Sequence, residues 1–537
     1  MGMFLNSNVP IASYKEIFKE PYFVDKSLLI DELIPALGTR NRYFCITRPR
    51  RFGKSVMADM ISAFFSKSAD GSPIFDKLLI AESENYRQHL NSHDVISIDC
   101  SRMPESCSTY EDYIARIIKG IKEDLMREFP DLCLDMSQAV WDMLLTVFQK
   151  TNRRFIFVID EWDALFHMPD IPSEKHQAYL LFLKNLLKDQ VYSELVYMTG
   201  ILPIAKYSDG SELNMFVEYT MTVSRRFSTY FGFLDREVDR LYEIYQRRTK
   251  EPSITRDKLR EWYDGYHTAS GDKLYNPRSI VCALTNNQIG NYWTSSGTYN
   301  SVFGYIKNNI SDIQDDIALL FSGESIAADI QEYAAVSLRL ETKDEIYSAM
   351  VVYGLLTSRD GYVSIPNREL SSSFASMMKK EKSLGYVFKL ANASQKMLSA
   401  TLSGDTRTMA EILKFAHDTE SPILSYNNET ELSAVVNLVY LAARDHYRVE
   451  REDKAGEGYV DFIFYPEQRN RDGIILELKV DDTPENAIQQ IKNRNYIFRF
   501  MGKLGETPKY TGRILAVGIG YNKKTKEHFC KVETIFC

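Results

Sequence analysis

Short unbroken apolar runs recur along the chain: YFCIT (43–47), VISI within DVISIDCS (94–101), FIFVI (155–159) and LVYM within ELVYMTGILPI (194–204). Runs of this length without alternation suit strands covered on both faces, as in a parallel sheet sandwiched by helices. Between them the apolar spacing changes to three and four. Met57, Met60, Ile61, Phe64 and Phe65 form one such stripe, Tyr110 to Phe129 a second, and Tyr179, Leu180, Leu183, Leu186 and Leu187 a third. Strands alternating with amphipathic helices predict an α/β doubly wound parallel sheet, with its chemistry at the carboxyl ends of the strands. Before the first strand, YFVDKSLLIDELI predicts a strand end and a helix, with Asp25 and Lys26 capping or pairing there. From about 300 to 420 the pattern is mostly helical, with a small β element around GYVSIPN. Then it changes again. Residues 427–447 predict a helix, YVDFIFYP (459–466) and IILELKV (474–480) two strands joined by the polar turn EQRNRDG, and RILAVGIGYN (513–522) a further strand. Cuts near 300 and 385 divide the chain into 1–300, 301–385 and 386–537.

Two stretches in the first block carry polar groups at strand ends. Strand 43–47 feeds a loop of Arg, Pro and Gly that opens into a helix at Gly53-Lys54-Ser55. Gly lets backbone N–H groups approach a phosphate, Lys54 supplies charge, and the Ser55 hydroxyl is a ligand for Mg2+. The usual phosphate-loop pattern has a Gly five residues before Gly53, and here that residue is Arg48. The plain alternative is an ordinary helix start with Ser in its first turn. Strand 155–159 ends in Asp160-Glu161, an acid pair suited to holding Mg2+ (Asp160) and orienting or deprotonating water (Glu161). The alternative there is two acids capping the next helix.

The C-terminal hairpin places Val460, Phe462 and Phe464 on one face with Ile474, Leu476, Leu478 and Val480. Because a strand has period two, Glu477 and Lys479 share the other face, about 7 Å apart. With Pro466 paired to Ile474, Asp461 would lie opposite Lys479 and diagonal to Glu477. Two carboxylates for a divalent cation and a lysine for charge developing on phosphate would then converge. A solvated face with a salt bridge is the competing reading.

Composition adjusts this picture only slightly. A chain of 537 residues with 44% hydrophobic and 26% charged residues is ordinary globular protein of two to four domains. No run approaches 18 apolar residues, and the N-terminus lacks a basic segment followed by an apolar one, so no membrane partner and a cytoplasmic location are expected. Seven cysteines without a C-x-x-C predict reduced thiols rather than a disulfide framework or a zinc site. The net charge of -8 conceals a basic excess beyond residue 490, including Lys492, Arg494, Arg513, Lys523 and Lys524, which is either a solvated surface or a track for a phosphate backbone.

The loop R-P-R-R-F-G-K-S resembles that of bacterial AAA-ATPase-like proteins related to signalling ATPases with G-x-R-R-x-G-K-T. The resemblance continues through residues 221–241, WYDGYH (262–267), LYNPRSI and YWTSSG. It implies ATP and Mg2+ as cofactors, with Arg50 and Arg51 part of the nucleotide motif. It also implies Thr199 as a γ-phosphate sensor on the strand after the acid pair, and Arg226 as a sensor or arginine finger unless it has a structural partner. The C-terminal part is similar to the PD-(D/E)XK nuclease superfamily. Glu429, Asp461, Glu477 and Lys479 fall in that family's order, with Val460 in place of its Pro, and AIQQIKNRNY (487–496) resembles the Q-and-Y helix of RecB-like nucleases, with Gln490 the matching residue. Together the resemblances imply an ATP-binding, ATP-hydrolysing protein whose Mg-dependent nuclease-like domain cleaves nucleic acid, DNA in preference to RNA, under ATP control. The alternative is a nucleotide-dependent switch whose C-terminal domain binds nucleic acid or a partner without cutting. Self-association stays open in both.

Overall fold

Five strands, β1 (Tyr43–Thr47), β2 (Asp94–Asp99), β3 (Phe155–Asp160), β4 (Ser193–Gly200) and β5 (Val217–Tyr219), form one parallel sheet in the order β2-β3-β4-β1-β5. They belong to a computed structural model that describes residues 2–168, 171–204, 212–293, 313–330, 342–417, 429–455, 458–468, 470–500 and 512–536. The chain divides into two units, Met1–Val302 with Ala328–Glu369, and Phe303–Ala327 with Leu370–Cys537.

In the first unit every residue of β1 and β3 is buried, as their unbroken apolar sequences require. The helix Lys54–Phe65 lays Met57, Met60, Ile61, Phe64 and Phe65 on Phe44, Ile46, Ile156, Val158, Leu195 and Tyr197 of the sheet. Burial of each such side chain stabilises by roughly 1.5–3 kcal/mol, which seats the loop before the helix on a rigid support. The helix Tyr110–Glu128 starts in a capping box, Thr109 with Asp112, and buries Tyr113, Ile117, Ile121 and Leu125. A separate helical group follows the sheet. Helices Asp235–Arg248, Arg256–Tyr263 and Pro277–Asn286 share a core of Val238, Leu241, Tyr245, Leu259, Ile280 and Leu284 with Tyr22 from the lead-in segment.

The second unit has its own sheet, β6 (Tyr447–Ala455), β7 (Gly458–Pro466), β8 (Gly473–Val480), β9 (Ile514–Asn522) and β10 (Glu527–Phe536), in that spatial order. Only β8 and β9 are parallel, because a helix, Pro484–Asn493, crosses between them. Both faces are covered. Ile488 and Ile491 of that helix pack on Ile463 and Ile475, while Tyr440, just beyond the helix Glu429–Val439, meets Phe464 on the other face at 5.2 Å.

Three features differ from the sequence expectation. The helix expected over 427–447 ends at Val439, a short 3-10 turn follows, and β6 begins at Tyr447. The edge strands β6 and β10 carry too many charges to show a clean apolar period. The hairpin register also moves: Phe464, not Pro466, pairs with Ile474, and Pro466 pairs with Tyr447. One more step along that ladder brings Asp461 opposite Glu477 rather than Lys479, and the face they share lies under a helix rather than in solvent. Among the described residues no helix is long and apolar enough to cross a membrane.

Candidate functional site

The loop after β1 is built around two side chains that turn inward. Arg48 is 1% exposed and donates to the carbonyls of Thr47 (2.7 Å), Tyr219 (2.7 Å) and Phe227 (3.3 Å), with the Phe231 ring 5.0 Å from its guanidinium. It therefore anchors the loop to the body of the unit and does not enter the phosphate position. Lys54 is buried too, and its Nζ donates to the carbonyls of Arg48 (3.0 Å) and Pro49 (3.3 Å). Burial lowers its pKa, with the charges of Glu161, Asp163 and Asp160 opposing the shift. Arg51 (φ 70°) and Gly53 (φ 91°) take left-handed backbone, and the Arg51 conformation costs on the order of 1 kcal/mol. Strain of this kind collects at loops shaped for a ligand.

The acid pair meets the loop across the strand ends. Thr199, on the strand between β3 and β1, donates to Asp160 at 2.5 Å, and the Ser55 hydroxyl lies near enough to the Asp160 carboxylate to favour its charged form. Burial raises the pKa of Asp160, and these two hydroxyls hold it down. Glu161 adopts φ 52°, lines the cavity, and is likewise raised by burial, with Lys54 opposing. A serine hydroxyl and a carboxylate in contact form a hard-oxygen pair that fits Mg2+.

Above them is a cavity of about 720 Å3, a size suited to a nucleotide-sized ligand. Its lining includes the aromatic and apolar Tyr14, Phe23, Val24 and Val281, and the charged Arg50, Arg51, Lys54, Glu161 and Arg278. Among the described residues Arg50, Arg51 and Arg278 make no ion pair, so the lining combines unpaired guanidinium groups with apolar and aromatic side chains. Lys26 also lines it, but its amine is committed to Glu237 (2.6 Å) and the Thr229 carbonyl (2.7 Å), and Asp25 caps Ser27 and Leu79.

Arg226 lies elsewhere. It donates to the Glu32 carbonyl (2.8 Å) and covers the rings of Phe44, Tyr219 and Phe227, outside the cavity lining. Two residues were not singled out from sequence. Asp163 is fully buried, pairs with His167 (2.9 Å), and accepts from the N–H groups of Ile201 and Leu202, fixing the turn after the acid pair. Arg278 follows the Pro at a helix start within LYNPRSI, and that local signal could have marked it.

In the second unit, Asp461 Oδ2 accepts the Leu478 N–H at 2.7 Å, and its carboxyl hydrogen-bonds that of Glu477. Glu477 is 1% exposed. Burial first, then the Asp461 charge and their shared hydrogen bond, push its pKa up to about 9, while Lys479 and the Tyr496 hydroxyl pull the other way. Gln490 donates to Glu477 at 2.9 Å, and Arg494 donates to the Tyr496 hydroxyl at 3.2 Å. Thus Asp461, Glu477 and Gln490 come together, with Lys479 two residues on along the same face and Tyr496 as a partner not assigned from sequence. The side chain of Glu429 lies outside the described residues. A buried carboxyl whose pKa is raised beside a second carboxylate forms a donor set that a divalent cation would relieve. Among the described residues no group of three or more His, Cys, Asp and Glu could hold a metal. Much of the basic excess is internally paired: Lys492 with Glu533, Arg513 with Asp472, Lys523 with Asp481, and Lys531 with Glu485 and Glu533.

Comparison with known proteins agrees with both geometries. Residues 8–208 match the family model of a predicted AAA-ATPase, and residues 428–524 match the PD-(D/E)XK nuclease superfamily. A curated relative, an uncharacterized protein in the vnfD 5' region of Azotobacter chroococcum mcd 1, is 25% identical over 285 residues, 52% of this chain; the chain spans 51% of that relative's length. Among solved structures, the Walker-type ATPase of Pyrococcus abyssi is 11% identical with a TM-score of 0.34, covering 65% of this chain and 94% of its own. The ORC1 protein of Aeropyrum pernix, solved in complex with DNA, is 14% identical with a TM-score of 0.27, covering 65% and 90%. The chain therefore joins an AAA-ATPase-like P-loop region to a C-terminal region of the PD-(D/E)XK nuclease superfamily.

Proposed function

We propose that this chain binds and hydrolyses ATP at the first site and cleaves nucleic-acid phosphodiesters, DNA in preference to RNA, at the second, with nucleotide state gating the cut. The carrying observation is the Thr199–Asp160 hydrogen bond, with the Ser55 hydroxyl nearby, beside a cavity lined by Arg50, Arg51 and Arg278, which make no ion pair among the described residues. Lys54, Arg50 and Arg51 would neutralise the β- and γ-phosphates, Glu161 would orient water, and Thr199 would sense the γ-phosphate through its bond to Asp160. Arg226 would take part only after leaving Glu32. Bound Mg2+ supplies Lewis acidity, and Ser55 with Asp160, and Asp461 with Glu477 and Glu429, are the residues that would hold it. At the second site Lys479 would stabilise charge on the phosphate, and Gln490 and Tyr496 would orient Glu477. The working division keeps 1–300 for the ATPase, 301–385 as a connection and 386–537 for the nuclease-like region, in a cytoplasmic protein that can self-associate.

The internal pairing of Lys492, Arg513, Lys523 and Lys531 favours a second reading, in which the C-terminal region of a nucleotide-dependent switch engages a partner without cleavage. Incubation of DNA and RNA with Mg2+ or Mn2+, with and without ATP, separates the two. Cleavage lost in Asp461→Ala and reduced in Lys54→Ala supports the gated nuclease. ATP turnover without product from any substrate supports the switch.

A further inference from the structure

The loop Arg48–Gly53 has a single glycine, yet each carbonyl in its first half already has a partner. Lys54 takes those of Arg48 and Pro49. The Arg50 carbonyl accepts the Trp293 indole N–H at 3.0 Å, with the Asn276 amide at 3.5 Å. Trp293 is fixed in turn, since its backbone N–H donates to Glu369 at 2.7 Å, and the other Glu369 oxygen accepts the Ser279 hydroxyl at 2.7 Å. Glu369 is 1% exposed, Ser279 0% and Trp293 6%. A carboxylate so buried is retained only where donors satisfy it. Ser279 stands in the first turn of the helix Pro277–Asn286, beside the cavity-lining Arg278. A third contact comes from Gly354, where a Cβ would lie 2.8 Å from Pro49 Cβ.

We propose that Trp293 and Glu369 are positioning residues for the nucleotide phosphates, acting on the loop through the Arg50 carbonyl. In a trans peptide the carbonyl and the following N–H point in opposite directions. Holding the Arg50 carbonyl on the indole therefore turns the Arg51 N–H away from Trp293 and toward the cavity that both arginines line. Glu369 ties the backbone of the same tryptophan to the helix that presents Arg278, so loop and helix keep one spacing. The external hold replaces the conformational freedom that a glycine at position 48 would bring.

The inference rests on the nucleotide reading, and the test separates the two. ATP and AMP binding to the full chain is measured for the wild type, Trp293→Phe, Glu369→Gln and the double variant. Each single variant is expected to raise the Kd for ATP about fivefold, the loss of one hydrogen bond. AMP, which lacks the β- and γ-phosphates, should bind as to the wild type, and the nucleotide-free melting temperature should stay within about 2 °C. The double variant should be no worse than the singles, because both act through one carbonyl. ATP binding by folded Trp293→Phe equal to that of the wild type overturns the proposal, as does equal weakening of ATP and AMP with a lowered melting temperature. A wild type that binds no ATP removes the nucleotide reading itself.

Discussion

Each unit brings two acids and a lysine near a strand end, but the two constellations balance their charges differently. At the first site the lysine is buried and already bonded to loop carbonyls, and Asp160 is held by the hydroxyls of Ser55 and Thr199. On the proposed reading, the arginines of this site take up the phosphates of a nucleotide. At the second site Lys479 is half-buried and makes no ion pair among the described residues, and burial with the Asp461 charge favours the protonated form of Glu477. Here the protein leaves an imbalance that a cation would settle. The comparison teaches that what surrounds the acid decides its charge state: hydroxyls favour the ionised form of Asp160, while burial beside a second carboxylate favours the protonated form of Glu477.

The two lysines give the largest test. Lys479→Met should slow cleavage roughly 100- to 1,000-fold while leaving ATP binding unchanged. Lys54→Met should weaken ATP binding roughly 10- to 100-fold. Cleavage rates indifferent to Lys54→Met would break the gating link and leave two independent sites.

A smaller effect appears in pH. The folded-state pKa of Glu477, about 9 against the ordinary 4.5, lies above its unfolded value. Between those pH values the folded chain holds a proton that the unfolded chain has lost, so this group's contribution to stability falls as pH rises from about 4.5 to 9. In chelator, melting temperatures of the wild type should decline more steeply across this window than those of Glu477→Gln. Parallel slopes would remove the raised pKa of Glu477 and much of the contrast between the sites.

The smallest expected change is at Arg226. Arg226 and its partner Glu32 are exposed and lie outside the cavity lining, so Arg226→Ala should alter the Kd for ATP less than twofold. A tenfold loss in ATP titration would bring Arg226 into the nucleotide site.

Much of both sites is legible in the chain itself. The strand-loop-helix at 43–65, the strand ending in Asp160-Glu161, and the helix after Asp94–Asp99 follow from apolar period and local capping, properties of neighbours in sequence. The hairpin strands are legible for the same reason. Their pairing is not, because register depends on the path of the six residues between Pro466 and Gly473, and a shift of two residues exchanges Lys479 for Glu477 opposite Asp461. The charged edge strands β6 and β10 are hidden because an edge needs no unbroken apolar run.

By itself the sequence determined the buried strands and the amphipathic helices between them, and where Lys54, Ser55, Asp160, Glu161 and the E-x-K stretch fall on them, because those depend on spacing of a few residues. Only the tertiary structure decided that Arg48 turns into the core, that Thr199 reaches Asp160 from the intervening strand, that Glu477 meets Asp461, and that Trp293 holds the loop from 243 residues away. Those contacts arise from how distant surfaces pack, and no period in the chain encodes which buried donor will find which carbonyl.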